Sequence, residues 1–101
     1  MKIIYNDILP LPGFIAMAFF GVILARKKYR PLSEMTINHE KIHAAQAKEC
    51  GGWLRYYWQY LRYWVRYGYN KIPFEREAYS QQRNMLYLMN RRAKAWKIYE
   101  V

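Results

Sequence analysis

The segment WLRYYWQYLRYWVRY, residues 53–67, sorts its residue types by helical period. At about 100° per residue, Arg55, Gln59, Arg62 and Arg66 fall on one stripe, and Tyr56, Tyr60, Tyr63 and Tyr67 form a second beside it. Trp53, Leu54, Tyr57, Trp58, Leu61, Trp64 and Val65 fill the remaining surface. Such ordering constrains the chain to contain a helix from Trp53 to about Tyr67, ended near Gly68 and Asn70, within the block 53–69. Three uses fit it. The commonest is a core helix whose arginines escape to solvent. The others are a helix lying in a membrane interface, where Tyr and Trp settle and Arg snorkels, and a stacking platform for single-stranded nucleic acid.

Two further helices flank this one. Ser33 is a suitable N-cap, with Glu34 in the first turn, so a helix is expected over 33–50. Gly51 and Gly52 supply the left-handed conformation that ends it. Proline after Ile72 breaks the chain again and opens a third helix, expected over 73–90. A basic, amphipathic tail follows over 91–101, with Ala93, Trp96 and Tyr99 as the residues that would dock it.

Residues 8–25 carry no charge, a length at the short edge of the roughly 17–25 residues that span a bilayer. Arg26, Lys27 and Lys28 follow at once, and as a membrane segment this stretch would leave the rest of the chain in the cytoplasm. Pro10, Pro12 and Gly13 break its first third, however. The apolar remainder, rich in Phe, Ile and Val, reads better as a strand or hairpin arm within the block 1–32. A cleaved leader is not expected, because Lys2 is the single basic residue before the apolar run and no small-residue cleavage site is evident. The chain of 101 residues suggests one domain, and its 53% hydrophobic content excludes disorder. The fold class expected is α+β: an N-terminal β-hairpin followed by three α-helices.

The charge of +10 admits nucleic acid, an anionic membrane surface, an acidic partner or simply a solvated basic face. The one cysteine, Cys50, permits no disulfide within the chain and points to no oxidising compartment. A cytoplasmic setting is the expectation, with association to the inner face of a membrane through 53–69 as a second option.

Both histidines of the chain lie in one pattern, His39-Glu40-Lys41-Ile42-His43, on the helix expected over 33–50. Residues four apart share a helix face, so both imidazoles can reach one Zn²⁺ at about 2.0–2.1 Å. Glu40 lies about 100° round the helix, off the metal but near a water bound to it. From there it can act as general base for attack on a carbonyl. A catalytic zinc takes three protein ligands and leaves a fourth position open. No third histidine exists. Glu49 lies about 9 Å further along the helix and points away, and Cys50 is about 10 Å off. Glu75 and Glu77, at the start of the third helix, remain. They point to nearly opposite sides, so only one can bind.

IPFEREAY, containing Glu75-Arg76-Glu77-Ala78-Tyr79, resembles the third-ligand helix of the gluzincin metallopeptidases, with its E-x-x-A-D or E-x-E-A-N pattern. The likeness extends to the ImmA/IrrE-type peptidases and, in chain length and element order, to the minimal gluzincins. Its specific part covers residues 39–79; over the first 30 residues the match is one of architecture alone. It implies that Glu75 is the third zinc ligand, with Glu77 in reserve, and that Ala78 lets the two zinc helices approach. It also implies a zinc-dependent peptidase whose substrate, a peptide or protein, pairs with the free edge of a hairpin. The family usually carries Asp or Asn where this chain has Tyr79. The Tyr79 hydroxyl could take over the hydrogen bond to a ligand histidine, or serve as an oxyanion donor. The rival expectation is a metal-stabilised basic and aromatic domain without catalysis, docking on a membrane surface or on nucleic acid.

Overall fold

A computed structural model describes residues 1–8 and 14–100. The strands β1 (Lys2–Asn6), β2 (Ala16–Phe19) and β3 (Val22–Arg26) come first. The helices α1 (Glu34–Glu49), α2 (Trp53–Tyr67), α3 (Pro73–Gln81) and α4 (Tyr87–Asn90) follow. The fold is α+β, as expected. The Pro10, Pro12 and Gly13 break of the apolar stretch lies outside the described residues. Its remainder forms the β2–β3 hairpin. Among the described residues, no helix is long and apolar enough to cross a membrane.

The hairpin turns on Phe20 and Gly21, both with positive φ (46° and 90°), the requirement of a tight two-residue connection. Glycine tolerates this freely, whereas Phe20 adopts a conformation uncommon for a bulky side chain. β3 then runs parallel to β1, from Lys2 opposite Val22 to Asn6 opposite Arg26. The sheet order is β1-β3-β2, so β3 is central and β2 lies at an edge. The sequence reading had the hairpin but not β1. A parallel partner leaves no local turn signal, because its pairing is set by chain some 20 residues away.

α1 begins where Ser33 Oγ accepts a hydrogen bond from the Thr36 amide at 3.1 Å. It ends where Gly52 N–H reaches Ala47 O at 2.9 Å, with Gly51 at φ 94°. α3 opens on Pro73, and its first turn carries Glu75. The third helix expected over 73–90 is broken: α3 stops at Gln81, and only a single turn, α4, follows. Two features stop it. The Asn38 side-chain amide, from α1, donates to Gln81 O, Gln82 O and Asn84 O at 3.3, 2.9 and 3.2 Å. These are carbonyls at the helix end, of which Gln81 O also accepts from the Asn84 amide at 3.0 Å. The Asn84 side chain also accepts from Leu86 N, a turn that competes with helix.

Two apolar clusters hold the elements. Ile23, Ala25 and Leu32 join the sheet to α1, with Ile3, Tyr5 and Ile37 against them. Ala47, Tyr56, Tyr63, Ile72, Phe74 and Trp96 join α1, α2, α3 and the tail. Phe74 is at the centre, its ring 4.7 Å from Tyr56 and 5.0 Å from Trp96. Of the tail residues expected to dock, Trp96 is buried and donates to the Tyr63 hydroxyl at 3.2 Å. Tyr99 is half-buried with Arg76 against its ring, whereas Ala93 is exposed.

Candidate metal centre

His39 and His43 face the same way from α1, and Glu75 meets them from the first turn of α3. The two Nε2 atoms lie 3.1 Å apart. Glu75 Oε1 is 3.2 Å from His39 Nε2 and 2.9 Å from His43 Nε2. A tetrahedral ion with ligand bonds of about 2.0–2.1 Å holds its ligand atoms roughly 3.3 Å apart. The three atoms therefore outline one face of such a tetrahedron, slightly contracted. His39, His43 and Glu75 could hold a metal ion.

Hydrogen bonding behind the rings fixes which nitrogen faces the site. The Gln46 side-chain amide donates to Phe74 O at 2.9 Å and to Glu77 Oε1 at 3.0 Å. Both partners only accept, so the Gln46 oxygen is turned to His43 Nδ1, at 2.8 Å. Nδ1 must then carry a hydrogen, so it is Nε2 that offers a lone pair to the site once its own proton is lost. Gln82 Oε1 stands 2.8 Å from His39 Nδ1 in the same role. The site can be satisfied in two ways: by a proton on His43 Nε2 donated to Glu75 Oε1, or by a cation that takes the place of that proton among the three ligand atoms.

The charges respond accordingly. Burial works against a charge on His43, but the Glu75 carboxylate beside it prevails and raises its pKa to about 9. Burial would also raise the pKa of Glu75, yet His43 and His39 hold it well below the usual carboxylate range. Glu40 is buried beside the centre, 4.0 Å from His39 Nε2. Its pKa is raised, chiefly by burial, against the pull of His43, His39 and a hydrogen bond from the Ala18 backbone. That contact places the edge strand β2 directly against the site. Ala18 O is in turn engaged by the Tyr57 hydroxyl at 3.1 Å.

The reserve ligand Glu77 faces elsewhere. It accepts from Arg91 Nε at 2.5 Å, Tyr87 OH at 2.6 Å and Gln46, and so lies behind His43 rather than at the centre. Tyr79 also differs from expectation. Its ring packs edge-on against His39, 4.6 Å between centroids, but Gln82 provides the hydrogen bond to that histidine. α3 has ended by then, and residue 82 reaches ground that a tyrosine hydroxyl on the preceding turn does not. Ala78 is fully buried between the helices, as a close approach requires.

Sequence reasoning missed Gln46, Gln82 and Tyr60. Gln46 had a signal, three residues after His43 on the same helix face. Gln82 and Tyr60 had none, because they reach the site only through the fold. Tyr60 donates to Glu75 Oε2 at 2.8 Å, which leaves Oε1 to the histidines. Glu75 opens onto a cleft of about 410 Å³, lined also by Tyr69, Asn70, Arg76, Tyr79, Ser80 and Tyr99. No protein-family model, curated protein or solved structure matches the chain.

Proposed function

We propose that the protein is a zinc-dependent peptidase of the gluzincin type, with His39, His43 and Glu75 as ligands and Glu40 as general base. The observation that carries this reading is the convergence of His39 Nε2, His43 Nε2 and Glu75 Oε1 within 3.2 Å of one another, beside a second, buried carboxylate, that of Glu40. Two imidazoles and a carboxylate at tetrahedral spacing suit zinc, with one position left open. When bound, zinc supplies a Lewis acid that acidifies water and polarises a carbonyl.

The chain's own groups do the rest. Glu40, with its raised pKa, takes a proton from the attacking water and later passes it to the amine nitrogen as the C–N bond breaks. The water oxygen stays on the new carboxylate. A substrate peptide would extend along the edge of β2 and displace the Tyr57 hydroxyl from Ala18 O. Tyr79, exposed at the cleft rim beside His39, is the candidate donor to the developing oxyanion.

Two measurements test the proposal. Elemental analysis of purified protein should give one zinc per chain in the wild type and much less in Glu75→Ala. Glu40→Gln should keep the metal and the melting temperature but abolish cleavage of a peptide library. Retained metal with equal cleavage in both proteins would remove Glu40 from the chemistry. Retained metal with no cleavage in either would favour a metal-pinned binding domain.

A further inference from the structure

α2 turns an unexpected side to the core. Its tyrosines go inward: Tyr56 is 3% exposed and Tyr63 5%. Its aliphatic residues go outward, Leu54 75% exposed and Val65 82%, and Trp58 goes with them at 64%. Leu61 and Trp64 are exposed with them. Burial in water alone would select the reverse, since Leu and Val carry no polar group and each tyrosine carries a hydroxyl. The hydroxyls have internal tasks, Tyr60 at Glu75 and Tyr63 at Glu100. The outward aliphatic residues have no partner of that kind.

The apolar area does not end with α2. The exposed hairpin tip continues it, with the Phe20 ring 5.4 Å from Tyr57 and 6.4 Å from Trp53. At the other end Tyr69 lies 5.3 Å from Trp64 and 6.5 Å from the exposed Phe14. Arg55, Arg62 and Arg66 border the area along α2, all exposed. None of the three forms an ion pair with a described carboxylate. Glu100, which borders the stripe, is engaged by Tyr63.

We propose that this face docks on the surface of an anionic lipid bilayer, with Leu54, Trp58, Leu61 and Val65 entering the headgroup–acyl boundary and Arg55, Arg62 and Arg66 meeting lipid phosphates. An apolar band flanked by a row of arginines matches that boundary in both polarity and charge. A second copy of the chain matches it less well. Two-fold pairing would set the three arginines of one face near those of the other, with only Glu100 of each copy to offset them. A nucleic acid offers phosphates and stacking bases, but nothing for the aliphatic centre of the face. Tyr69 belongs both to this face and to the cleft beside Glu75, so docking would bring that cleft to the rim of the contact.

The test is flotation of the whole protein with vesicles of phosphatidylcholine, with and without phosphatidylglycerol, alongside a single-stranded oligonucleotide and sedimentation analysis without lipid. The expected result is partition onto the anionic vesicles, weakened by salt, with tryptophan emission quenched by brominated acyl chains. Replacing Arg55, Arg62 and Arg66 together with Gln should lower partition on the order of a hundredfold. Leu54→Ser with Val65→Ser should lower it about tenfold or more at an unchanged melting temperature, since both sites are exposed. His39→Ala should leave it unaltered, so the result does not depend on the metal. Failure to float overturns the proposal. So does dimerisation, or oligonucleotide binding, that the same substitutions abolish while vesicle binding is absent.

Discussion

Tyr60 shows how a single hydroxyl governs a carboxylate. By donating to Glu75 Oε2 it leaves only Oε1 for the histidines, so that a metal held under the proposed function would meet the carboxylate through one oxygen. Groups that orient metal ligands are typically worth about 10–100-fold in metal affinity. Tyr60→Phe should therefore weaken zinc binding about tenfold in a competition titration against a chromogenic chelator, with the metal-free fold unchanged. Equal affinity would remove Tyr60 from this role. Glu77 acts at the same scale, but on stability. It is fully buried and paired with Arg91, whose side chain is almost as buried. Arg91, Gln46 and Tyr87 outweigh the effect of burial and lower the Glu77 pKa. A carboxylate with a lowered folded pKa contributes stability above its ordinary pKa of 4.5 and loses it as pH falls through the folded value. Glu77→Gln should cost about 2–3 kcal/mol in urea unfolding at neutral pH, less than when a buried charge is left wholly unpaired, because Arg91 keeps Glu49 at 2.7 Å. Below the ordinary carboxylate pKa that difference should shrink, because wild-type Glu77 itself takes up a proton.

At the scale of elements, local signals placed the helix starts correctly wherever a cap or proline acts within one turn. Ser33 is the clearest case: its Oγ meets the Thr36 amide and fixes where α1 begins. Ser33→Ala should cost about 1 kcal/mol, read as a fall of about 4–8 °C in melting temperature. A negligible change would mean that packing against β2 and α3, not the cap, sets the start of α1. The end of α3 behaved otherwise. Its amphipathic sequence continues past Gln81, but Asn38 satisfies the terminal carbonyls from a helix more than 40 residues earlier. α2 is a mixed case. Its period was legible in the stripes of Arg and Tyr, but which stripe faces inward depended on what the other helices offer a tyrosine hydroxyl.

For the whole molecule, the centre and the core are two parts of one junction among α1, α2 and α3. Phe74 precedes Glu75, is fully buried, and gives its carbonyl to Gln46, which in turn holds His43. Packing and the placement of His43 and Glu75 are therefore coupled through a single residue. Phe74→Ala should cost about 3–5 kcal/mol. That is a large share of the roughly 5–15 kcal/mol typical of a domain, and the metal site should loosen with it. Removing metal with a chelator should lower the melting temperature of the wild type and leave that of His39→Ala unmoved, since a ligand that binds only the folded state stabilises it by mass action. Equal shifts in both would place the metal elsewhere.

The sequence alone determined the local features: the helix carrying His39, Glu40 and His43, the stops at Gly51 and Gly68, the start at Pro73, and two candidate carboxylates, Glu75 and Glu77, at the start of the helix that follows. These follow from spacing along one helix, or from residues that act within a turn of themselves. Only the tertiary structure decided that Glu75 faces the histidines, that Gln46 and Gln82 rather than Tyr79 hold their rings, that β1 joins β3, and that the tyrosines of α2 are buried. Each of these depends on groups brought together across long stretches of chain. Local periodicity sets which residues share a face, but not which face meets which.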